Sequence, residues 1–241
     1  MKKFIPVLLG VMSVFVIDAQ DSIALKKHYL KVYNQALNYN DVNTAINALH
    51  DYLAEDNNIL YKDTLSMLYF NVKSYYSSLL LSEEVYKKVP DNVNAMARAA
   101  ECYDELGDPK TAVSLFERVV PKTRSPYHYY RLALCQYQLK RTAECEASAK
   151  FAMADTNSKK ISVKFSMANG SQQSVPVDAA AANILGVLKM DTKNFADAKA
   201  YFQHALTLFP QFAGAKDNLD ACERNMKGPK TPPKTQSKSK G

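Results

Sequence analysis

One stretch of this chain repeats itself. The segment Asn183-Ile-Leu-Gly-Val-Leu-Lys-Met-Asp-Thr-Lys-Asn-Phe-Ala-Asp-Ala-Lys-Ala-Tyr-Phe-Gln-His-Ala-Leu-Thr-Leu-Phe-Pro210 sets small residues Gly186, Ala198 and Ala205 among larger apolar ones at helical spacing. Counted from Ala179, Gly186 is position 8, Ala198 position 20, Phe202 position 24 and Pro210 position 32. Laid upstream, the frame starts at Lys26, Ile59, Val93 and Pro126, with spacings of 33, 34 and 33 residues. Position 8 is then Tyr33, Ser66, Ala100 and Ala133, and position 20 is Ala45, Ser78, Ala112 and Cys145. Two antiparallel helices approach closely only where side chains are small, so this recurrence predicts a stack of helical hairpins.

The unit resembles the tetratricopeptide repeat (TPR), whose signature positions include Leu185, Gly186, Ala198, Phe202, Ala205 and Pro210. Tyr103, the turn pair Gly107-Asp108 and Phe116 carry the pattern into the third unit, and Leu65 and Pro90 into the second. The resemblance implies an all-α fold, a TPR helical-hairpin solenoid wound as a right-handed superhelix, over roughly residues 26–212. Departures stand beside it. The chain has no tryptophan for position 4, and Tyr33 at a small-residue position marks the first unit as degenerate or shifted in register.

Between the fourth and fifth units the spacing jumps to 53 residues, and residues 159–178 change from helical to alternating periodicity. Ile161, Val163, Phe165, Val175 and Val177 all fall on odd numbers around Asn169-Gly170, which predicts an inserted β-hairpin. A three-residue loop Asn169-Gly170-Ser171 puts the apolar set on one face and Phe165 opposite Val175; a disordered connector is the alternative. A capping helix is expected over 213–226, with Ala215, Leu219, Cys222 and Met226 on its inner side. Residues 227–241, rich in Lys and Pro and without other apolar residues, read as a disordered basic tail.

At the other end, Lys2-Lys3 followed by the apolar run Ile5–Ile17 reads as a signal peptide over residues 1–19, cleaved after Ala19, with an uncleaved anchor as the alternative. The expected product is exported, in the periplasm or envelope of a Gram-negative bacterium, with a TPR domain over 20–226. Its net charge of +7 is concentrated: the tail holds five lysines, and residues 20–226 carry only +1. A body without a basic face offers no footprint for a nucleic acid. The tail gives a second reading, peripheral contact with anionic lipid or cell-wall polymer.

Chemistry is scarce. The histidines, His28, His50, His128 and His204, show no metal-ligand spacing, and no nucleophile elbow or phosphate loop occurs among seven glycines, so neither enzyme activity nor a cofactor nor a metal is expected. Cys102, Cys135 and Cys145 sit at inward repeat positions, and buried free thiols are expected of all four cysteines, with a Cys102–Cys135 bridge as the alternative. In the resembled family, positions 2, 5, 9, 12 and 13 of the first helices face a groove that takes a protein or peptide partner. Carried onto this chain, they nominate Met67, Phe70 and Asn71; Glu101, Asp104 and Glu105; Tyr127, Tyr130 and Tyr137; and Asn183 and Met190. Position 5 is Leu30, Asp63, Ala97, Tyr130 and Asn183, so the Lys and Asn clamp that some members use for C-terminal carboxylates is not expected.

Overall fold

A computed structural model of the chain describes residues 6–167 and 170–227. The first five residues of the expected leader, and the tail beyond residue 227, lie outside them. Eleven α-helices, a short 3-10 helix (Ser158–Lys160) and one two-stranded sheet form the regular structure of the described residues. In order these are α1 (Pro6–Asn38), α2 (Val42–Glu55), α3 (Ile59–Asn71), α4 (Tyr75–Lys88), α5 (Val93–Glu105), α6 (Pro109–Thr123), α7 (Pro126–Gln138), α8 (Thr142–Ala154), β1 (Ser162–Ser166), β2 (Gln172–Pro176), α9 (Val177–Asp191), α10 (Phe195–Leu208) and α11 (Ala213–Met226). None of these helices is long and apolar enough to cross a membrane. The chain packs as two blocks that divide at Leu115 and Phe116, within α6.

The repeat shows most plainly in the backbone. Position 15 of the frame takes a left-handed conformation in all five units: Asn40, Lys73, Gly107, Lys140 and Lys193 have φ of 55°, 62°, 86°, 57° and 58°. Each sits just past the end of a first helix. Its N–H bonds to the carbonyl of position 12, and the next N–H bonds to that of position 11, as in Lys73 to Phe70 (2.9 Å) and Ser74 to Tyr69 (2.9 Å). This double bond is the Schellman ending, which satisfies carbonyls a helix terminus leaves open. The first unit, despite Tyr33, carries the same turn, with Asn40 bonded to Leu37 and Asp41 to Ala36. Position 16 then caps the second helix: Asp41, Asp108 and Asn194 accept from Thr44, Thr111 and Asp197 backbone N–H groups.

A lysine in this conformation is strained by its Cβ, and glycine is not. Lys73→Gly and Lys193→Gly are each expected to stabilise the protein by about 0.5–1 kcal/mol, and Gly107→Ala to destabilise it by about 1 kcal/mol. No atom lies within 4 Å of the Cβ that alanine would add at Gly107, so the loss there is of backbone origin alone. Urea midpoints check all three; a gain for Gly107→Ala would contradict the turn.

In the N-terminal block, Ala45, Leu49 and Leu65 are fully buried and pack with Ala36, Ile46 and Leu68, while Leu30 and Tyr33 of α1 close over them. Ser66 and Ser78, positions 8 and 20, meet where α3 and α4 touch, and the buried Ser78 hydroxyl donates to the Ser66 carbonyl at 2.8 Å. In the C-terminal block, α9 is the most enclosed helix: Ala179, Ala181, Ala182 and Leu185 are fully buried. Gly186 lies against the Phe202 ring, which a Cβ at that position would approach to 2.4 Å.

The insertion is a hairpin, in a register that differs from the expected one. Val163 faces Val175 and Phe165 faces Gln173. The ladder ends on Met167, whose N–H donates to the Ser171 carbonyl (2.9 Å), and Gly170 stands at φ 80°. A three-residue hairpin loop wants its glycine last, at the left-handed position. The loop is therefore closed by Met167 and Ser171, and the pairing expected between Phe165 and Val175 is shifted by two residues. Val163 and Val175 are buried, and Phe165 packs edge-on to Phe212 (4.9 Å) and over Gly214. Gln173 clamps the hairpin to the α10–α11 link by donating to the Gln211 carbonyl (2.6 Å) and accepting from Ala213 N–H (3.1 Å). Finally, α11 opens at Ala213, 34 residues after Ala179, so it stands where a sixth first helix would.

Candidate protein-binding surfaces

Each block presents nominated residues of its own. On α3, Leu60 and Met67 are 71% and 44% exposed, Asn71 is exposed, and Phe70 is half-buried beside Tyr75 at a ring separation of 5.6 Å. Seven residues place Leu60 and Met67 on one face two turns apart, and Phe70 continues it. Asp63, on the same helix, is taken up internally. Its carboxylate accepts from Arg98 (2.7 Å) and Asn92 (2.8 Å), and the same Arg98 nitrogen reaches the Ser66 hydroxyl at 2.5 Å. On α5, Glu101 is buried, Asp104 is half-buried and Glu105 is exposed.

In the C-terminal block, Tyr137 donates from its hydroxyl to Asp191 at 2.9 Å, tying α7 to α9. Beside this bond lies a recess of about 490 Å³ lined by Tyr137, Gln138, Lys140, Thr142, Leu188, Asp191 and Thr192. Tyr127 is half-buried against the His128 ring. Tyr130 and Asn183 do not reach a surface: they are 6% and 4% exposed. Asn183 accepts from Asn218 of α11 at 2.9 Å, a contact between positions 5 and 6 of successive frames, as Asp63 makes with Arg98. Met190 is turned toward Phe202, Ala198 and Cys222. Tyr130 and Asn183, with the buried Glu101, are therefore corrected as groove residues, while Met190 stays half-buried. The frame gives a residue's side of the helix but not what the following helix lays over it.

Sequence reasoning missed a stacked pair, Tyr129 and Phe151, with ring centroids 4.9 Å apart and 11° between planes. Phe151 is 62% exposed, and the pair borders a recess of about 460 Å³ with Pro121, Arg124, Pro126 and Asp155. An aromatic at position 4 was its only signal.

Burial pushes the Tyr130 hydroxyl up to about 12; burial and then Asp191 do the same for Tyr137, and the hydrogen bond to Glu83 followed by burial does so for Tyr103. An unfolded tyrosine ionises near 10. The stabilisation these neutral hydroxyls give is thus complete below pH 10 and is lost as pH rises toward 12. Urea midpoints are expected to fall over that window, and less steeply in Tyr137→Phe.

All four cysteines are buried free thiols; burial raises the Cys145 pKa to about 12. Among the described residues, no three His, Cys, Asp or Glu side chains are grouped to hold a metal.

Two tetratricopeptide-repeat family models match the chain, at residues 94–120 and 179–212. No curated protein matches it in sequence. Among solved structures, it is similar to MamA from Desulfovibrio magneticus RS-1 (16% identity, TM-score 0.64, covering 78% of this chain and 97% of that one). A tetratricopeptide repeat protein from Parabacteroides merdae aligns at 12% identity and TM-score 0.66, covering 85% of this chain and 74% of its own. YrrB, a TPR protein with an unusual peptide-binding site, aligns at 14% and 0.64, covering 78% and 89%. At such identities the likeness is one of fold. Residues 94–120 and 179–212 match tetratricopeptide repeats, and the recurring turn carries the same hairpin through all five units.

Proposed function

We propose that the chain is a protein-binding scaffold of the bacterial cell envelope that holds a segment of a partner against the first helices of its repeats and performs no chemistry itself. The observation that carries the binding role is the exposed pair Leu60 and Met67 on α3, with the half-buried Phe70 continuing their face. Covering apolar surface gains roughly 25 cal/mol per Å², so a ridge left in water is a surface suited to being covered in a complex. The recess beside Tyr137 and Asp191 offers a second anchor, a broad ring with a polar handle that favours a basic or hydrogen-bonding side chain. Peptide binding by YrrB, a protein of the same fold, supports the class of ligand. The leader of Lys2, Lys3 and the apolar run after them supports export.

The test is affinity capture from envelope extract with wild type and with the double variant Leu60→Asp plus Met67→Asp. Both side chains are exposed, so the variant is expected to keep its thermal midpoint and lose the partner. Equal recovery of every partner by the two proteins overturns the ridge. An intact leader on the mature protein, in place of an N-terminus at Gln20, overturns the export.

A further inference from the structure

The inserted hairpin turns a row of backbone hydrogen-bonding groups outward on each of its two edges. The Val177 N–H donates to the Ile161 carbonyl and the Met167 N–H to the Ser171 carbonyl, each at 2.9 Å, and the register between them pairs Val163 with Val175 and Phe165 with Gln173. Odd-numbered residues therefore bond across the hairpin. In an antiparallel ladder, the intervening residues turn their N–H and C=O groups to the outer edges. On β1 these are Ser162, Lys164 and Ser166; on β2 they are Gln172, Ser174 and Pro176. Among the described residues the sheet has two strands, and neither edge meets a third. The edges are not equivalent, because Pro176 has no N–H to give. The β1 edge keeps three donors and three acceptors, and all three of its residues are exposed.

This edge is also held in place. Gln173 anchors the hairpin through both ends of its amide, Phe165 is seated against Phe212 and Gly214, and Val163 and Val175 are buried. A strand ordered beforehand costs a partner less entropy to join.

We propose that the outer edge of β1 is a docking site for an extended segment of a partner protein, which adds as a third strand by main-chain bonds to Ser162, Lys164 and Ser166 and carries Asp or Glu opposite Lys164. Charge selects this occupant. Lys164 is exposed and has no carboxylate partner among the described residues. Directly opposed opposite charges stabilise a strand pair, and like charges destabilise it. A second copy pairing β1 with β1 about Lys164 sets two lysines face to face. The chain's own residues 227–241 are no better suited, with five lysines, three prolines and no Asp or Glu. An acidic extended segment satisfies both the edge and the charge. The site is separate from the α3 ridge, so either can fail while the other stands.

The probe is acetyl-Thr-Thr-Val-Glu-Val-Thr-Thr-amide, titrated into the full-length protein and followed by amide NMR. Shifts are expected to concentrate on Ser162, Lys164 and Ser166. A peptide with Lys in place of Glu is expected to bind about tenfold more weakly. Lys164→Glu should invert that preference, and N-methylating the peptide amides that face β1 should abolish the shifts. Saturation on helix residues alone, equal binding of the two peptides, or no response at millimolar peptide overturns the proposal.

Discussion

Phe202→Ala is expected to remove about 3–5 kcal/mol of stability, a large part of the 5–15 kcal/mol typical of a folded domain. The ring is fully buried with Ala198 and Cys222, and Val187, Met190, Phe195 and Leu219 close around it. Its lost contacts cannot be recovered easily, because Gly186 on the other side has no side chain to move into the space. The same geometry predicts a reversal of sign. In the wild type, Gly186→Ala drives a methyl into the ring, since the added Cβ would lie 2.4 Å from Phe202 Cε1, and about 1–3 kcal/mol should be lost. In the Phe202→Ala background the same methyl fills part of a cavity and should be neutral or stabilising. A double-mutant cycle in urea measures the coupling; strictly additive losses would mean that the two residues do not share this space.

Asp63→Ala is the second large effect, expected to cost about 1.5–3 kcal/mol. The Arg98 side chain is only 13% exposed, and its charge is met by the Asp63 carboxylate at 2.7 Å. Without that carboxylate, Arg98 keeps only the neutral Ser66 hydroxyl and the Asn92 amide loses the Asp63 acceptor, in a place that water reaches poorly. Partnered ions in such places are often replaceable by apolar residues at little cost, whereas one ion left alone is expensive. The double variant Asp63→Leu plus Arg98→Met should therefore recover most of the loss. By contrast, Lys88→Ala, which breaks a pair whose lysine is 52% exposed, is expected to stay within about 0.5 kcal/mol of wild type. If Asp63→Ala behaved like Lys88→Ala, the pair would be a surface contact and no more.

The helical-hairpin fold was legible because it rests on local rules. Small residues at Gly186 and Ala198, Ser66 and Ser78 mark where helices touch, and Pro126 and the capping residues mark where they start. The hairpin was legible as a hairpin from its period of two, but its register depended on which loop residue takes the left-handed conformation. Gly170, not its neighbour, decided that. The candidate surfaces were less legible for a different reason. Met67, Asn71 and Glu105 are exposed and Tyr137 borders a recess, but Glu101, Tyr130 and Asn183 are enclosed by their own chain. Outward direction from one helix is a local property, while coverage depends on the next helix. Asn218 over Asn183 and Arg98 over Asp63 repeat one relation between positions 5 and 6, and reading those positions in pairs would have found both.

The turn at Asn40, Lys73, Gly107, Lys140 and Lys193 has a bearing on how such a protein can change over evolutionary time. Its geometry recurs with three different residue types, because carbonyls of the preceding helix hold it and no particular side chain is required. Mutations can accumulate on the neighbouring helix faces without disturbing the phase of the hairpins. A lineage can thus vary its surface a helix at a time on an unchanged frame.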